Sequence, residues 1–176
     1  MAFEYEHLIV SIPDFPKPGI IFKDITPVLA DPDGFAAVVD GIAEHFADKG
    51  VTKVVAAEAR GFMLGAPIAY KMGAGFVPAR KPGKLPREAY SKSFLLEYGE
   101  DSLEIHKDAL SEDDVVLIVD DLVATGGTTN AMADLVKQAG ATLAGMGFFM
   151  ELAFLNPREA IAEKVDTEVL SLYVVE

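Results

Sequence analysis

Apolar positions in this chain fall into short blocks of two kinds. Residues 51–57, 75–79, 115–119, 143–152 and 169–175 are nearly continuous runs of Val, Ile, Leu, Phe, Met, Ala and Gly. Such runs predict strands buried on both faces, as in a parallel sheet. Between them, Phe35, Val38, Val39, Ile42 and Phe46 recur at helical spacing within residues 34–49. Asp33 stands where an N-cap belongs and Gly50 where a helix stops. Residues 61–72, closed by Gly73, and about 129–139, closed by Gly140, read as two further helices. Residues 94–98 and 103–106 read as two more strands about a Gly99-Glu100-Asp101 turn. Residues 1–33 carry Pro13, Pro16, Pro18, Pro27 and Pro32 and predict irregular structure. Strands alternating with helices predict an α/β fold, a mainly parallel twisted sheet flanked by helices. With no repeat or linker, 176 residues predict a single domain, 1–176, with a full core.

Composition narrows the class. A net charge of −13 argues against a nucleic-acid partner. The chain has no cysteine, so disulfides and thiolate metal sites are excluded, in keeping with a reducing compartment. No apolar run approaches the roughly 20 residues that span a bilayer. The first residues, Met1 to Glu6, are acidic and lack a signal-peptide pattern. The expectation is a soluble, cytoplasmic protein with no membrane partner. The charge is unevenly spread, however. Arg80, Lys81, Lys84, Arg87 and Lys92 fall within residues 80–92, where Glu88 is the only acid. Pro82, Gly83 and Pro86 make this an irregular basic loop, either simply solvated or meeting a polyanionic ligand.

The chemistry concentrates where the third strand ends. Val115 to Val119 stop at Asp120 and Asp121, and Ala124, Thr125, Gly126, Gly127 and Thr128 follow before a helix. Ligands of open α/β sheets bind at the carboxyl ends of strands. Ionised carboxylates only accept hydrogen bonds, which suits the two hydroxyls of a ribose. A small-residue loop at a helix N-terminus offers backbone N–H groups to a phosphate. The pattern is neither a Walker A loop nor a dinucleotide fingerprint, and it reads as a site for a ribose phosphate. A second strand ends at Glu58, Ala59 and Arg60, which is either an ordinary strand-to-helix turn or a place where a guanidinium and backbone donors can be presented to a phosphate oxygen. Phe22 is a candidate to stack on a flat base, with the Ile21 and Lys23 backbones reading its polar edge, or else it packs with Ile25 into the core. Glu97 is a candidate general acid or base, or else a solvated edge-strand glutamate. The three histidines show no metal-ligand spacing.

The run from Val115 to Thr129 resembles the phosphoribosyl-diphosphate (PRPP) motif of the type I phosphoribosyltransferases. Glu58-Ala59-Arg60-Gly61-Phe62 resembles the form seen in the adenine-specific and xanthine-type branches, and Lys81-Pro82-Gly83-Lys84-Leu85-Pro86, Leu96-Glu97-Tyr98-Gly99 and Pro18-Gly19-Ile20-Ile21-Phe22-Lys23-Asp24 resemble the adenine-specific members. The resemblance implies the type I phosphoribosyltransferase fold with an N-terminal hood (1–33) over the base and a mobile lid loop with flanking strands (80–107). It implies transfer of the 5-phosphoribosyl group from PRPP to N9 of adenine, giving AMP and pyrophosphate, a purine salvage step. Asp120 and Asp121 would hold the ribose, Ala124 to Thr128 the 5′-phosphate, and Glu58, Ala59, Arg60, Lys81 and Lys84 the pyrophosphate. Ile21, Phe22 and Lys23 would hold adenine, and Glu97 would exchange a proton with the ring. The cofactor would be Mg²⁺ carried by the pyrophosphate rather than by a protein cage. A homodimer is implied, with the apolar residues between Phe62 and Ala69 as a candidate interface. Many relatives carry arginine where Lys23 stands. Two rivals remain open at this point: a relative using xanthine, guanine or orotate, and a non-catalytic regulator that keeps the PRPP site as a sensor.

Overall fold

The computed structural model describes residues 3–96 and 99–176. A short 3₁₀ turn at Glu6–Leu8 leads into the antiparallel hairpin β1 (Val10–Pro13) and β2 (Ile21–Asp24), then α1 (Thr26–Ala30) and α2 (Pro32–His45). Residues 3–33 are therefore more ordered than their prolines suggested. Every residue of β1 is exposed, so no alternation of apolar and polar positions could mark it as a strand. Pro27 sits in the first turn of α1, where its missing N–H costs nothing.

Helix α2 starts earlier than expected. Asp31, not Asp33, is its N-cap: the Asp31 carboxylate accepts the N–H groups of Asp33 at 3.1 Å and Gly34 at 2.8 Å. Pro32 takes the first helical position. The helix also ends sooner, at His45. Bonds of three-residue span, from Ala47 N–H to Glu44 and from Lys49 N–H to Phe46, tighten the chain before Gly50 turns it with φ near 67°.

The remaining elements are β3 (Lys53–Ala57), α3 (Arg60–Met72), β4 (Gly75–Ala79), β5 (Ala89–Leu96), β6 (Gly99–His106), β7 (Val115–Val123), α4 (Gly127–Gln138), β8 (Thr142–Leu152), α5 (Pro157–Ala162) and β9 (Val169–Val175). Five strands form one parallel sheet in the order β4-β3-β7-β8-β9. Alternate residues of β3 and β7 feed opposite faces. Val54, Leu117 and Val119 pack with α2 and α3, while Val55, Val116 and Ile118 pack with α4 and residues of the β5–β6 hairpin. From β3 the chain moves outward to β4, and from β7 it moves the other way to β8 and β9. The β3/β7 boundary is thus the topological switch point, where such sheets open a crevice.

The hairpin differs from expectation. Gly99, Glu100 and Asp101 are not its turn but strand residues, paired with Leu96, Leu95 and Phe94. Strand β5 also begins at Ala89, inside the segment read as a basic loop. Lys92 hid the pattern: it shares a strand face with Tyr90 and Phe94, which pack on the core. Its ammonium leaves that face by pairing with Asp134 of α4 at 2.7 Å. Among the described residues, no helix is long and apolar enough to cross a membrane.

Candidate active site

Pairing between β3 and β7 stops at Ala56 and Val119, whereas β7 and β8 stay paired as far as Val123 and Glu151. Asp120 and Asp121 therefore lie just past the end of β3, inside a strand that runs on for two more residues. Both are buried. The Asp121 N–H donates to Asp120 Oδ1 at 2.9 Å, and Arg60 Nε pairs with Asp121 Oδ2 at 2.8 Å. Burial raises the Asp120 carboxyl well above the usual carboxylate range, and the neighbouring Asp121 charge raises it further. Burial also raises Asp121, opposed chiefly by the Arg60 guanidinium. Gly61 makes room for this pair, because a Cβ there would meet Asp120 Oδ1 at 2.7 Å.

Two helix N-termini face the same crevice. Helix α3 starts at Arg60 and α4 at Gly127, and neither has a side chain capping its first N–H groups, unlike α2. Gly126 enters α4 with φ near 81°, a conformation that favours glycine. The uncapped amides give the cleft positive dipole ends beside two carboxylates. The cleft measures about 310 Å³ and is lined by residues 57–60 and 120–129. It gathers Glu58, Ala59, Arg60, Asp120, Asp121, Ala124, Thr125, Gly126, Gly127 and Thr128 from two stretches of sequence some sixty residues apart.

Beside it lies a narrower cavity of about 110 Å³, walled by the hood residues Ile20 to Lys23 and by Ile25, Leu122, Met150 and Leu152. Arg60, Asp121 and Leu122 belong to both cavities. The Arg60 guanidinium lies 5.8 Å from the Phe22 ring centroid, and Phe15 meets that ring edge-on at 5.2 Å. Lys23 Nζ donates to Ser11 Oγ at 2.8 Å across the hairpin. Its ammonium thus braces the hood. Sequence reading missed Leu122, Met150 and Leu152. For Leu122 the signal was available, an apolar residue immediately after the acid pair. Nothing local marks Met150 or Leu152, which only the β7–β8 pairing brings there.

The basic segment is not the bare cationic patch its sequence suggests. Arg80 Nη2 pairs with Glu58 Oε2 at 3.3 Å, and the Lys81 N–H donates to Glu58 Oε1. Those contacts, the Lys81 N–H foremost, hold the Glu58 carboxyl below its ordinary value. Lys81 Nζ pairs with Asp101 at 3.1 Å and Arg87 with Asp108 at 3.0 Å. Lys84 is exposed and gives its carbonyl to Arg80 Nη1 at 3.3 Å. Arg80 Nε is buried without a hydrogen-bond partner, a donor that local sequence did not flag. Glu97 lies outside the described residues. Of the apolar stretch 62–69, Leu64, Ile68 and Ala69 face the core, so the outward face of α3 is Met63, Ala66 and Tyr70.

Residues 26–170 match the family described as "Phosphoribosyl transferase domain". The chain belongs to that family. A protein of Solidesulfovibrio magneticus named adenine phosphoribosyltransferase is 58% identical over 158 residues, 90% of this chain and 92% of that protein. The crystal structure of adenine phosphoribosyltransferase from Thermoanaerobacter pseudethanolicus superposes with a TM-score of 0.92 at 49% identity, covering 98% of both chains. The Giardia lamblia enzyme, solved with 9-deazaadenine, gives 0.93 at 38% identity over 100% of this chain and 99% of that one. Within the family the chain belongs with the adenine phosphoribosyltransferases.

Proposed function

We propose that the paired cavities carry out transfer of the 5-phosphoribosyl group from PRPP to N9 of adenine, releasing pyrophosphate and forming AMP. The observation that carries this reading is the shared wall. Arg60 and Asp121 form one ion pair that borders both the cleft with its two helix N-termini and the flat apolar cavity under Phe22. A donor sugar and an acceptor base in those two places meet at that wall. Holding them together removes the entropy of a bimolecular encounter, and preorganised charge does the rest.

Asp120 and Asp121 accept the ribose hydroxyls, and Ala124, Thr125, Gly126, Gly127 and Thr128 hold the 5′-phosphate on the α4 N-terminus. Arg60, Lys81 and Lys84, with the Ala59 backbone, neutralise the pyrophosphate. Glu58 serves that end indirectly, by tying down Arg80 and the Lys81 amide. Phe22 and Leu122 sandwich adenine, and the Ile21 and Lys23 backbones read its edge. Glu97 exchanges the ring proton, a role that rests on its place in sequence. The donor chemistry of the cleft fits a magnesium ion that arrives on pyrophosphate, with Asp120 and Asp121 the carboxylates able to share it. When bound, that ion offsets the charge of the leaving group. Met63, Ala66 and Tyr70 on the outward face of α3 are the proposed contact in a homodimer, and a cytoplasmic location accords with the absence of cysteine.

A base panel with PRPP and Mg²⁺ tests the reading. Adenine is expected to release pyrophosphate; turnover of hypoxanthine, xanthine or orotate with none of adenine would overturn it. Nucleic-acid binding without pyrophosphate release would favour a regulator instead. Glu97→Gln is expected to lower turnover more than adenine binding, and a wild-type turnover number would remove Glu97 from the mechanism.

A further inference from the structure

Helix α5 contributes nothing to the cleft lining, yet the phosphate loop rests on it. A Cβ at Gly126 would lie 3.4 Å from both the Ala160 Cβ and the Pro157 carbonyl oxygen, and 3.6 Å from Ile161. Asn130 of α4 bridges the same two elements. Its N–H donates to the Gly126 carbonyl at 2.8 Å, and its Nδ2 donates to the Ala160 carbonyl at 2.9 Å. With only six residues, α5 cannot hold itself in place. The Arg158 guanidinium does so. Its Nε lies 2.9 and 3.1 Å from the two Glu151 oxygens, its Nη2 lies 2.8 Å from Oε2, and its Nη1 donates to the Val169 carbonyl at 3.0 Å. The Glu151 side chain is only 4% exposed and pairs in register with Val123, the residue from which the phosphate loop departs.

We infer that Asn130, Glu151 and Arg158 are positioning residues for the 5′-phosphate. They lock α5 under Gly126, so that the amides of residues 126–128 keep one geometry for a phosphate monoester. A fork of two parallel bonds to a buried carboxylate fixes orientation as well as distance. Supporting contacts of this kind decide whether binding groups keep their aim. The inference rests on the assignment of residues 124–128 to the 5′-phosphate.

The test is a split in kinetic constants. Arg158→Ala and Asn130→Ser are each expected to raise the KM for PRPP about tenfold or more while leaving the KM for adenine near its wild-type value. AMP and adenosine, used as inhibitors competing with PRPP, isolate the phosphate. The wild type is expected to be inhibited far more strongly by AMP than by adenosine, and in both variants that ratio is expected to shrink. Arg158→Lys, which can pair with Glu151 but cannot fork, recovers part of the ratio. Unchanged KM for PRPP, or parallel loss of PRPP and adenine affinity, overturns the inference. Where melting shows that Arg158→Ala has not folded, Asn130→Ser decides, since it leaves the ion pair intact. A wild-type enzyme that AMP and adenosine inhibit equally would remove the phosphate assignment itself, and this inference with it.

Discussion

The acid pair at the carboxyl end of the central sheet and the acids at its amino end live under opposite regimes. At the amino end, Asp114 accepts Thr52 Oγ1 at 2.8 Å and the Ser111 N–H and Oγ at 2.9 and 3.0 Å. Glu168 pairs there with Lys49 and His45, both at 2.8 Å. Hydrogen bonds hold both carboxyls below their ordinary values, against the opposing effect of desolvation. At the carboxyl end, burial and mutual repulsion push Asp120 up, and Asp121 rises despite Arg60. One end satisfies its charges from within the fold. The other keeps acceptors and helix N-termini under-satisfied, which is what a ligand with hydroxyls and phosphates requires. Preorganised sites commonly give up stability for function in this way.

The largest expected effect comes from closing the space around the raised pair. Gly61→Ala drives a methyl into Asp120 Oδ1 and should lower kcat/KM about 100-fold, the cost of roughly 1 Å of misplacement. Steady-state kinetics with PRPP and adenine check it, and activity within threefold of wild type would show that the carboxylates need no such seat. Next, Asp121→Asn removes a charged acceptor and should raise the KM for PRPP about 10- to 100-fold, the worth of a charge-assisted hydrogen bond. Its melting temperature should not fall, and a drop of several degrees would make Asp121 structural.

At the amino end the signs reverse. Asp114→Ala should cost about 0.5–1.5 kcal/mol by removing the acceptor of three hydrogen bonds. Kinetics should be unaltered, because Asp114 lies at the far end of the sheet, and denaturant unfolding beside an activity assay tests both halves. An effect of opposite sign is expected from Asp120→Asn, which relieves burial of a charge and should stabilise by about 1 kcal/mol. The pH dependence follows the same division. Asp114 has a lowered folded pKa, so its stabilisation is present above its unfolded value of about 3.9 and is lost as pH falls through the folded value. Asp120 has a raised folded pKa, so its cost to folding sets in as pH rises above its unfolded value of about 3.9 and is complete above the folded value. The advantage of Asp120→Asn over wild type is therefore greatest at neutral pH and disappears below about pH 4. Melting curves from pH 7 to pH 3 check this, and an advantage that grew on acidification would contradict the division.

Much of this was legible in one dimension because the signals are local. Continuous apolar blocks mark strands buried on both faces, and the acid pair followed by a small-residue loop marks the donor cleft whatever the rest of the chain does. The hood was less legible. Its two strands are only four residues long and flanked by prolines, and the first is exposed throughout, which leaves no alternation to read. The basic segment misled in another way. Glu88 is its only acid in sequence, but Glu58, Asp101, Asp108 and Asp134 arrive from other elements to partner Arg80, Lys81, Arg87 and Lys92.

The chain's order of residues by itself determined the α/β architecture, the PRPP-type loop and the family to which they point, since each depends on neighbours within about fifteen positions. Only the tertiary structure decided that β3 and β7 are adjacent at the switch point, that Arg60 joins the two cavities, and that α5 supports Gly126. Those facts depend on strand order and on partners 30 or 60 residues apart, such as Asn130 with Ala160 and Arg60 with Asp121. The elevated carboxyls belong to the same category, because a pKa is set by burial and by facing charges, which no local pattern encodes.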